Sequence, residues 1–565
     1  VLSPVLLVGG GGGEATCGIL YLAGFLRRNG VEAFVRLYDA DESDEDVTRS
    51  IESLVAFVRP RLVGVSLKWY HHAARALLIA QTVRRCAPDV RVVFGGNTAA
   101  HYWRELIAYD CVDHVVLGDG EAPLLALCRG DDAAPNCATR AAGGSPARTS
   151  FGYVQGASSG ESFYSHFDDV FLSQLDQHSF SGWVAPGKGC GDTCLYCGGG
   201  RGTLKTSFGR AQPFLRPEET VRRDHAEVAP RVWQLRYDFY GGTAEYLTRT
   251  WAGFDLSSHS TTYFLWGVPD PALVDALAQT FRRVYLVLDV GCFSEAQRQE
   301  LMRRRLIKPC PSDSELLAAV GVCLRHKNLE LEVCGIAGLP FTSAHALGEE
   351  RRLVERLLAA GCAVGYQRLE AQPGAPVTEH SGRFEMATEA RTFGEYLAWF
   401  SQPDKCADGA VPMVRFRDRA TEQAVQRHFD QLAALARPHA ATPAAVNGRT
   451  RLVTSVASTR VVTLGDWLGR YRVSARAVQT PVIVLRTADG NGLACAPSLD
   501  AGHLADPMLQ QGPDGSAILS ALDAFAHPAT VAAVVTRLRR ELALDSRSAR
   551  EVVAGLVAGR FLQPA

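Results

Sequence analysis

Three cysteines stand close together in the segment Gly187-Lys188-Gly189-Cys190-Gly191-Asp192-Thr193-Cys194-Leu195-Tyr196-Cys197-Gly198-Gly199-Gly200. The spacing is Cys-x3-Cys-x2-Cys, with an aromatic residue just before the last cysteine. Three thiolates on one tight, glycine-rich loop can hold three irons of a [4Fe–4S] cluster, which leaves the fourth iron open to a substrate. A structural zinc site would want a fourth Cys or His at a matched spacing. None is near, since Cys292, Cys310 and Cys334 stand apart in the sequence. The metal-ligating set read from the sequence is therefore Cys190, Cys194 and Cys197.

A second group of residues lies at predicted strand ends in the first 130 residues. Five apolar, β-branched runs are Val5–Val8, Ala33–Tyr38, Leu62–Ser66, Val90–Phe94 and His114–Leu117. They alternate with stretches of helical spacing, for example Ile51, Leu54, Val55 and Val58. The alternation predicts parallel strands with crossover helices, a doubly wound α/β sheet. Such sheets bind ligands beyond the carboxyl ends of their strands. Four of the runs end in unusual loops: Gly9, Gly10 and Gly11 in a run of five glycines; Ser66-Leu67-Lys68-Trp69-Tyr70; Gly95-Gly96-Asn97-Thr98; and Gly118-Asp119-Gly120-Glu121. Together they describe a rim that lets a large flat ligand approach the backbone. A flavodoxin-like or plain nucleotide-binding sheet is the alternative.

The elements that must position these loops belong to a chain of 565 residues, long enough for three or four domains. With 59 basic and 60 acidic side chains the net charge is −1, which argues against nucleic acid or a membrane surface as partner. No uncharged apolar run approaches the roughly 20 residues that span a bilayer. Fifteen cysteines, an odd number, and a start without the basic residues of a signal peptide point to a cytoplasmic protein rather than a disulfide framework.

The glycine loops after the fourth and fifth runs, followed by the cysteine motif, resemble the cobalamin-dependent (class B) radical SAM methyltransferases. The first part of the resemblance covers about residues 4–128. It implies cobalamin with its nucleotide tail extended into the sheet, contacted by Gly9, Gly10, Gly11, Ser66, Leu67, Lys68, Trp69, Gly95, Gly96, Asn97, Gly118, Gly120 and Glu121. The Asp-x-His-x-x-Gly element of the methionine-synthase type is absent, and the first loop, GGGGEATCG, offers no histidine. Lys68 and Tyr70 become the expected catalytic residues beneath cobalt, although the family's arginine is missing from that loop. The cysteine motif implies S-adenosylmethionine on the open iron, with Tyr196 against adenine. Later strand ends fall in the family's order: Gly241-Gly242-Thr243, Asp289, Gly338-Leu339-Pro340 and Glu370. They imply a partial (β/α)6 TIM-like barrel with these residues around SAM.

The C-terminal third reads as an amphipathic stretch, Ala420–Ala436, then a hairpin around Asp489-Gly490-Asn491 (Val482–Arg486 and Gly492–Ala496), then three helices. It resembles a PqqD-like winged-helix module of the kind that recognises leader peptides. The expected organisation is an α/β multidomain chain: a Rossmann-like cobalamin-binding domain at 1–130, a linker at 131–180, the radical SAM barrel at 181–403, a helical linker at 404–474 and a small α+β module at 475–565. The resemblance implies C-methylation through methylcobalamin of a natural-product precursor. Tryptophan, at an indole carbon as in the thiopeptide tryptophan 2-C-methyltransferases, or a ribosomal peptide residue is the expected substrate. A cobalamin-dependent cyclase or rearrangement enzyme is the alternative. An external electron donor is expected if the route is radical, and the chain is expected to be a monomer. His71 and His72 read as surface caps of a helix start, and Arg303-Arg304-Arg305 as a solvated helix end.

Overall fold

Runs of Val, Ile and Leu form strands buried on both faces only where helices cover the two sides of a sheet. A computed structural model of the chain has this arrangement twice. It describes residues 2–10, 16–38, 43–141, 143–154, 181–210, 212–229, 234–237, 244–257, 259–402, 412–436, 451–454, 456–463, 481–487, 492–496, 509–511, 515–525, 529–542, 544, 548–550, 552–553, 556 and 562–564.

The first sheet contains β1 (Leu2–Gly10), β2 (Val31–Tyr38), β3 (Leu62–Ser66), β4 (Arg91–Gly95), β5 (His114–Val116), β6 (Cys137–Arg140) and β7 (Pro146–Arg148). Their order is β2-β1-β3-β4-β5-β6-β7, and the first five are parallel. The order reverses between β1 and β3, so the strand ends there open into a crevice. The five predicted strands are all present. The linker expected at 131–180 needs correction, because β6 and β7 continue the same sheet in antiparallel fashion. Their alternation was hidden by the small residues of that stretch, which look like a linker by composition.

The second sheet holds six strands: β8 (Ser181–Trp183), β11 (Gln234–Tyr237), β12 (Ser260–Trp266), β13 (Arg283–Asp289), β14 (Leu329–Ala337) and β15 (Ala363–Arg368). They stand in chain order and every pairing is parallel, as a partial (β/α)6 barrel requires. A short hairpin, β9 (Gly187–Lys188) with β10 (Phe214–Leu215), carries the cysteine loop between its arms. The hairpin is fastened by a fully buried ion pair, Arg216 to Asp224 at 2.6 Å. Arg216 also donates to the Ala185 carbonyl at 2.9 Å, and the Tyr246 hydroxyl donates to the Arg216 carbonyl at 2.7 Å.

One apolar core runs from the first sheet into the barrel. Leu6, Val65 and Phe94 of the sheet share it with Leu339, Leu369 and Phe393. The helix Phe393–Phe400, opened by a Thr392–Glu395 capping box, wedges between the two. The Phe393 backbone N–H donates to Glu105 at 2.8 Å, and the Tyr102 hydroxyl donates to the Arg391 carbonyl at 2.7 Å.

The expected linker at 404–474 also needs correction. Strand Val414–Phe416 pairs with Met386–Thr388, and the helix Arg419–Ala436 packs against β15 through Arg368 and Glu422 at 2.6 Å. At the C-terminus, Pro481–Thr487 and Gly492–Ala496 pair antiparallel as expected, and helices Gly515–Ala524 and Val531–Leu542 follow. The Asp489-Gly490-Asn491 turn lies outside the described residues. No described helix is long and apolar enough to cross a membrane.

Replacing Asp224 by Ala removes the carboxylate that balances the buried Arg216 guanidinium. Removal of one partner of a buried pair costs about 3–5 kcal/mol, so D224A should unfold at clearly lower denaturant than wild type. A midpoint unchanged in urea would contradict the anchoring role.

Candidate functional site: a glycine-rimmed cavity beside the cysteine loop

Beyond the C-terminal ends of β3, β4 and β5 lies a cavity of about 480 Å³. Its rim is Ser66, Lys68, Gly95, Gly96, Asn97 and the Gly118–Glu121 loop. It runs down between one face of the sheet (Leu7, Gly64, Val93, Val116) and the helix Thr16–Arg28 (Ile19, Leu22). Its remaining wall comes from the barrel half: Lys188, Gly189, Leu204, Phe208 and Arg210. Apolar walls with a polar mouth suit a ligand that has a flat heterocycle at one end and hydrogen-bonding groups at the other.

Two glycines make the rim possible. Gly96 has φ of 107°, and a Cβ there would lie 2.7 Å from the Leu67 carbonyl oxygen. Gly118 has φ of 87°, and a Cβ would lie 2.9 Å from the Phe208 carbonyl oxygen. Both need the left-handed region, and both let backbone rest on backbone. Gly95, by contrast, has open space where a Cβ would stand.

The β3 loop divides its expected roles. Lys68 lines the cavity, with its amino group 5.2 Å from the centre of the Trp69 ring. The Thr98 hydroxyl donates to the Lys68 carbonyl at 2.9 Å, and the Leu67 N–H donates to the Gly95 carbonyl at 2.7 Å. Tyr70 is buried and turned the other way. Its hydroxyl donates to Glu370 at the end of β15, and its ring packs on Tyr396 at 5.3 Å. Burial first, then the Glu370 carboxylate, holds this phenol well above its usual pKa. The two expected site residues Tyr70 and Glu370 thus meet each other, across the sheet and the barrel.

His72 is not the side-chain cap expected of it. It makes no cap hydrogen bond, and its ring lies where a Gly10 Cβ would come within 3.0 Å. It meets His71 at 4.2 Å and the edge of Tyr38 at 6.0 Å. Burial, then His71 and Arg75, push its pKa down to about 4. Arg303 and Arg304 are solvated as expected and pair with Glu300.

The cysteine loop is fixed by its own apolar residue. Leu195 is fully buried in the shared core; its N–H donates to the Leu306 carbonyl at 2.7 Å, and its carbonyl accepts from Val377 N–H at 2.9 Å. Burying such a side chain contributes about 1.5–3 kcal/mol. Around it, Cys197 accepts the Gly199 N–H at 3.3 Å, and Cys194 accepts a backbone N–H from Lys308. Backbone N–H donors aimed at sulfur suit thiolates that ligate a cluster. Burial pushes the Cys194 thiol up to about 11 and raises Cys197 as well, a shift that a bound cation would offset. Among the described residues no three His, Cys, Asp or Glu side chains converge on a single-ion site.

Tyr196 stacks on Trp266 of β12, 6.4 Å between rings. Trp266 is in register with Asp289 at the end of β13. Burial raises the Asp289 carboxyl to about 6, against the pull of the Gly291 N–H and Lys308. Gly338 ends β14 with φ of 81°, close under the Arg368 guanidinium. Tyr196, Asp289 and Gly338 are therefore rim features of one barrel. Gly11, Gly241, Gly242 and Thr243 lie outside the described residues. Sequence reasoning missed Trp266, Lys188, Phe208 and Arg210. Lys188 stands in the cysteine motif itself, but only the packing of the barrel on the sheet brings it to the cavity.

Residues 5–128 match the family described as the B12 binding domain. The sheet domain is a B12-binding domain. Over most of its length the chain is similar in fold to a solved structure. It superposes on the radical S-adenosylmethionine methyltransferase TsrM from Kitasatospora setae, solved with cobalamin and a [4Fe-4S] cluster bound. The TM-score is 0.59 at 16% identity, over 76% of this chain and 91% of that one. The same enzyme with tryptophan substrate and the SAM analogue aza-SAM gives 0.54 at 16% identity, over 72% of this chain and 82% of that one. A search among curated proteins finds no match.

Two outcomes follow from this geometry. Gly96→Ala places a Cβ into the Leu67 backbone and costs at least about 1–2 kcal/mol from φ alone. Gly95→Ala should leave stability unchanged, whereas Gly95→Leu should fold and fail to retain hydroxocobalamin on a desalting column. Second, His72 has a folded pKa below its unfolded 6.5, so the unfolded state binds more protons between these values. Its contribution is full above pH 6.5 and is lost as pH falls toward 4. The melting temperature of H72Q should therefore fall less steeply than that of wild type across this window.

Proposed function

We propose that this chain is a cobalamin-dependent radical SAM C-methyltransferase acting on a natural-product precursor. The indole carbon of tryptophan is the first candidate target, and a residue of a ribosomally made peptide the second. One observation carries the reading: the helix Arg201–Phe208, which begins four residues after Cys197, supplies Leu204 and Phe208 to the wall of the B12-domain cavity. The cluster loop and the corrinoid site therefore share a wall. A carbon that is a poor nucleophile needs such a pairing, because the cofactors supply the chemistry and the protein supplies placement.

When bound, the corrinoid carries the methyl group, SAM provides it, and the cluster supplies the electron for any radical step. The chain's own residues have separable tasks. Cys190, Cys194 and Cys197 hold the cluster. Tyr196, Trp266 and Asp289 form a partly aromatic, partly anionic rim suited to an adenosine group. The glycine rim would admit the corrinoid, with Lys68 among the residues that would line its site. Tyr70 holds the Lys68 loop to the barrel through Glu370 and is a positioning residue. The C-terminal hairpin and helices support a leader-peptide module of the PqqD type.

Anaerobic reconstitution with iron, sulfide and hydroxocobalamin, then incubation with SAM and L-tryptophan, tests the reading by mass spectrometry. The expected product is heavier by one CH2 unit, and Cys194→Ala should lose both the broad brown absorbance and the product. Deoxyadenosine accompanying the product marks a radical route. A product of unchanged mass would mean cyclisation or rearrangement and would contradict methyl transfer.

A further inference from the structure

Two cations bracket the cysteine loop. Lys188 stands on β9 two residues before Cys190, and Arg210 follows the helix that closes the loop. Both meet the acidic loop after β5. Arg210 pairs with Asp119, and the Lys188 amino group lies 3.6 Å from Asp119 and 3.5 Å from Glu121. The side chains of Arg210, Asp119 and Glu121 are 7%, 13% and 8% exposed, so salt screens these pairs less than surface ones. Glu121 has a further feature. It lines the cavity, and its Oε2 is buried with no hydrogen-bond partner among the described residues. A buried carboxylate oxygen without a donor is unfavourable unless a ligand brings one.

We propose that Glu121 is shared between the corrinoid and the cluster loop, and that the two cofactor sites are thereby coupled. Its Oε2 accepts a hydrogen bond from an amide N–H or hydroxyl of the corrinoid, while its Oε1 holds Lys188. The Asp119–Arg210 pair closes the clamp at the other end of the loop. A cluster in place orders residues 189–209 and so fixes both cations. That pre-orients Asp119 and Glu121 for the corrinoid. A coupling of this kind is reciprocal, so a bound corrinoid steadies the cluster equally. The inference rests on the reading of the cavity as a corrinoid site.

Equilibrium ultrafiltration of the full chain with hydroxocobalamin tests it, comparing cluster-reconstituted protein with protein stripped by an iron chelator. Wild type should bind about fivefold or more tightly with the cluster present, the lower end of ordinary coupling. In Glu121→Gln and in Lys188→Met that ratio should fall to within about twofold, a smaller coupling than this range. A purely structural role would weaken both forms alike and leave the ratio intact. Equal affinities in wild type, or an undiminished ratio in both variants, would overturn the clamp. Absence of binding in either form would contradict the corrinoid reading itself.

Discussion

Backbone resting on backbone at two glycines is the constraint on which the rest of the molecule depends. Gly96 lets the β4 loop settle on Leu67 and Lys68, and Gly118 lets the β5 loop settle on the Phe208 carbonyl. The first contact shapes the rim of the sheet domain. The second brings the segment after the cysteine loop onto that rim. A side chain at Gly118 would prise the barrel away, and the cavity would lose the wall formed by Leu204 and Phe208. Glycine's entropic cost in the unfolded chain is the cost of this closeness. It is offset by the continuous apolar core that joins the sheet to the barrel.

Within that core the cluster motif contributes its own anchor. Leu195 sits between Cys194 and Tyr196 of the motif and is among the most deeply buried of the described residues. The loop is thus held by hydrophobic packing and two backbone hydrogen bonds before any metal arrives. Burial shifts the Cys194 and Cys197 thiols upward, and a bound cation would offset that shift. This packing pins the middle of the loop at Leu195 and leaves its flanks, out to Lys188 and Arg210, to be ordered with the cluster as proposed above.

Much of this was legible in the sequence, for a physical reason. Parallel strands buried on both faces write continuous apolar runs, so all five sheet-domain strands stood out, as did β13 and β14. The cysteine motif announced itself by spacing alone. Strand β12 did not, because Ser260, Thr261 and Thr262 dilute its apolar signal, and Trp266 went unnoticed with it. β6 and β7 were masked by a composition of Ala, Gly and Pro that resembles a linker. Long-range pairs such as Tyr70 with Glu370, or Lys188 with Glu121, leave no trace in local pattern. The first was expected as two separate site residues, and only the fold joins them.

The central claim is that one cavity, walled by both the glycine rim and the segment following the cysteines, holds a corrinoid facing the cluster. The most direct measurement is an anaerobic crystal structure of the chain loaded with iron, sulfide and hydroxocobalamin. The account predicts a corrin ring against Gly95, Gly96 and Lys68, its nucleotide end between the sheet and the helix Thr16–Arg28, and an open iron turned toward it. A corrin bound elsewhere with this cavity left to solvent, or a cluster whose free corner is buried away from it, would contradict the account.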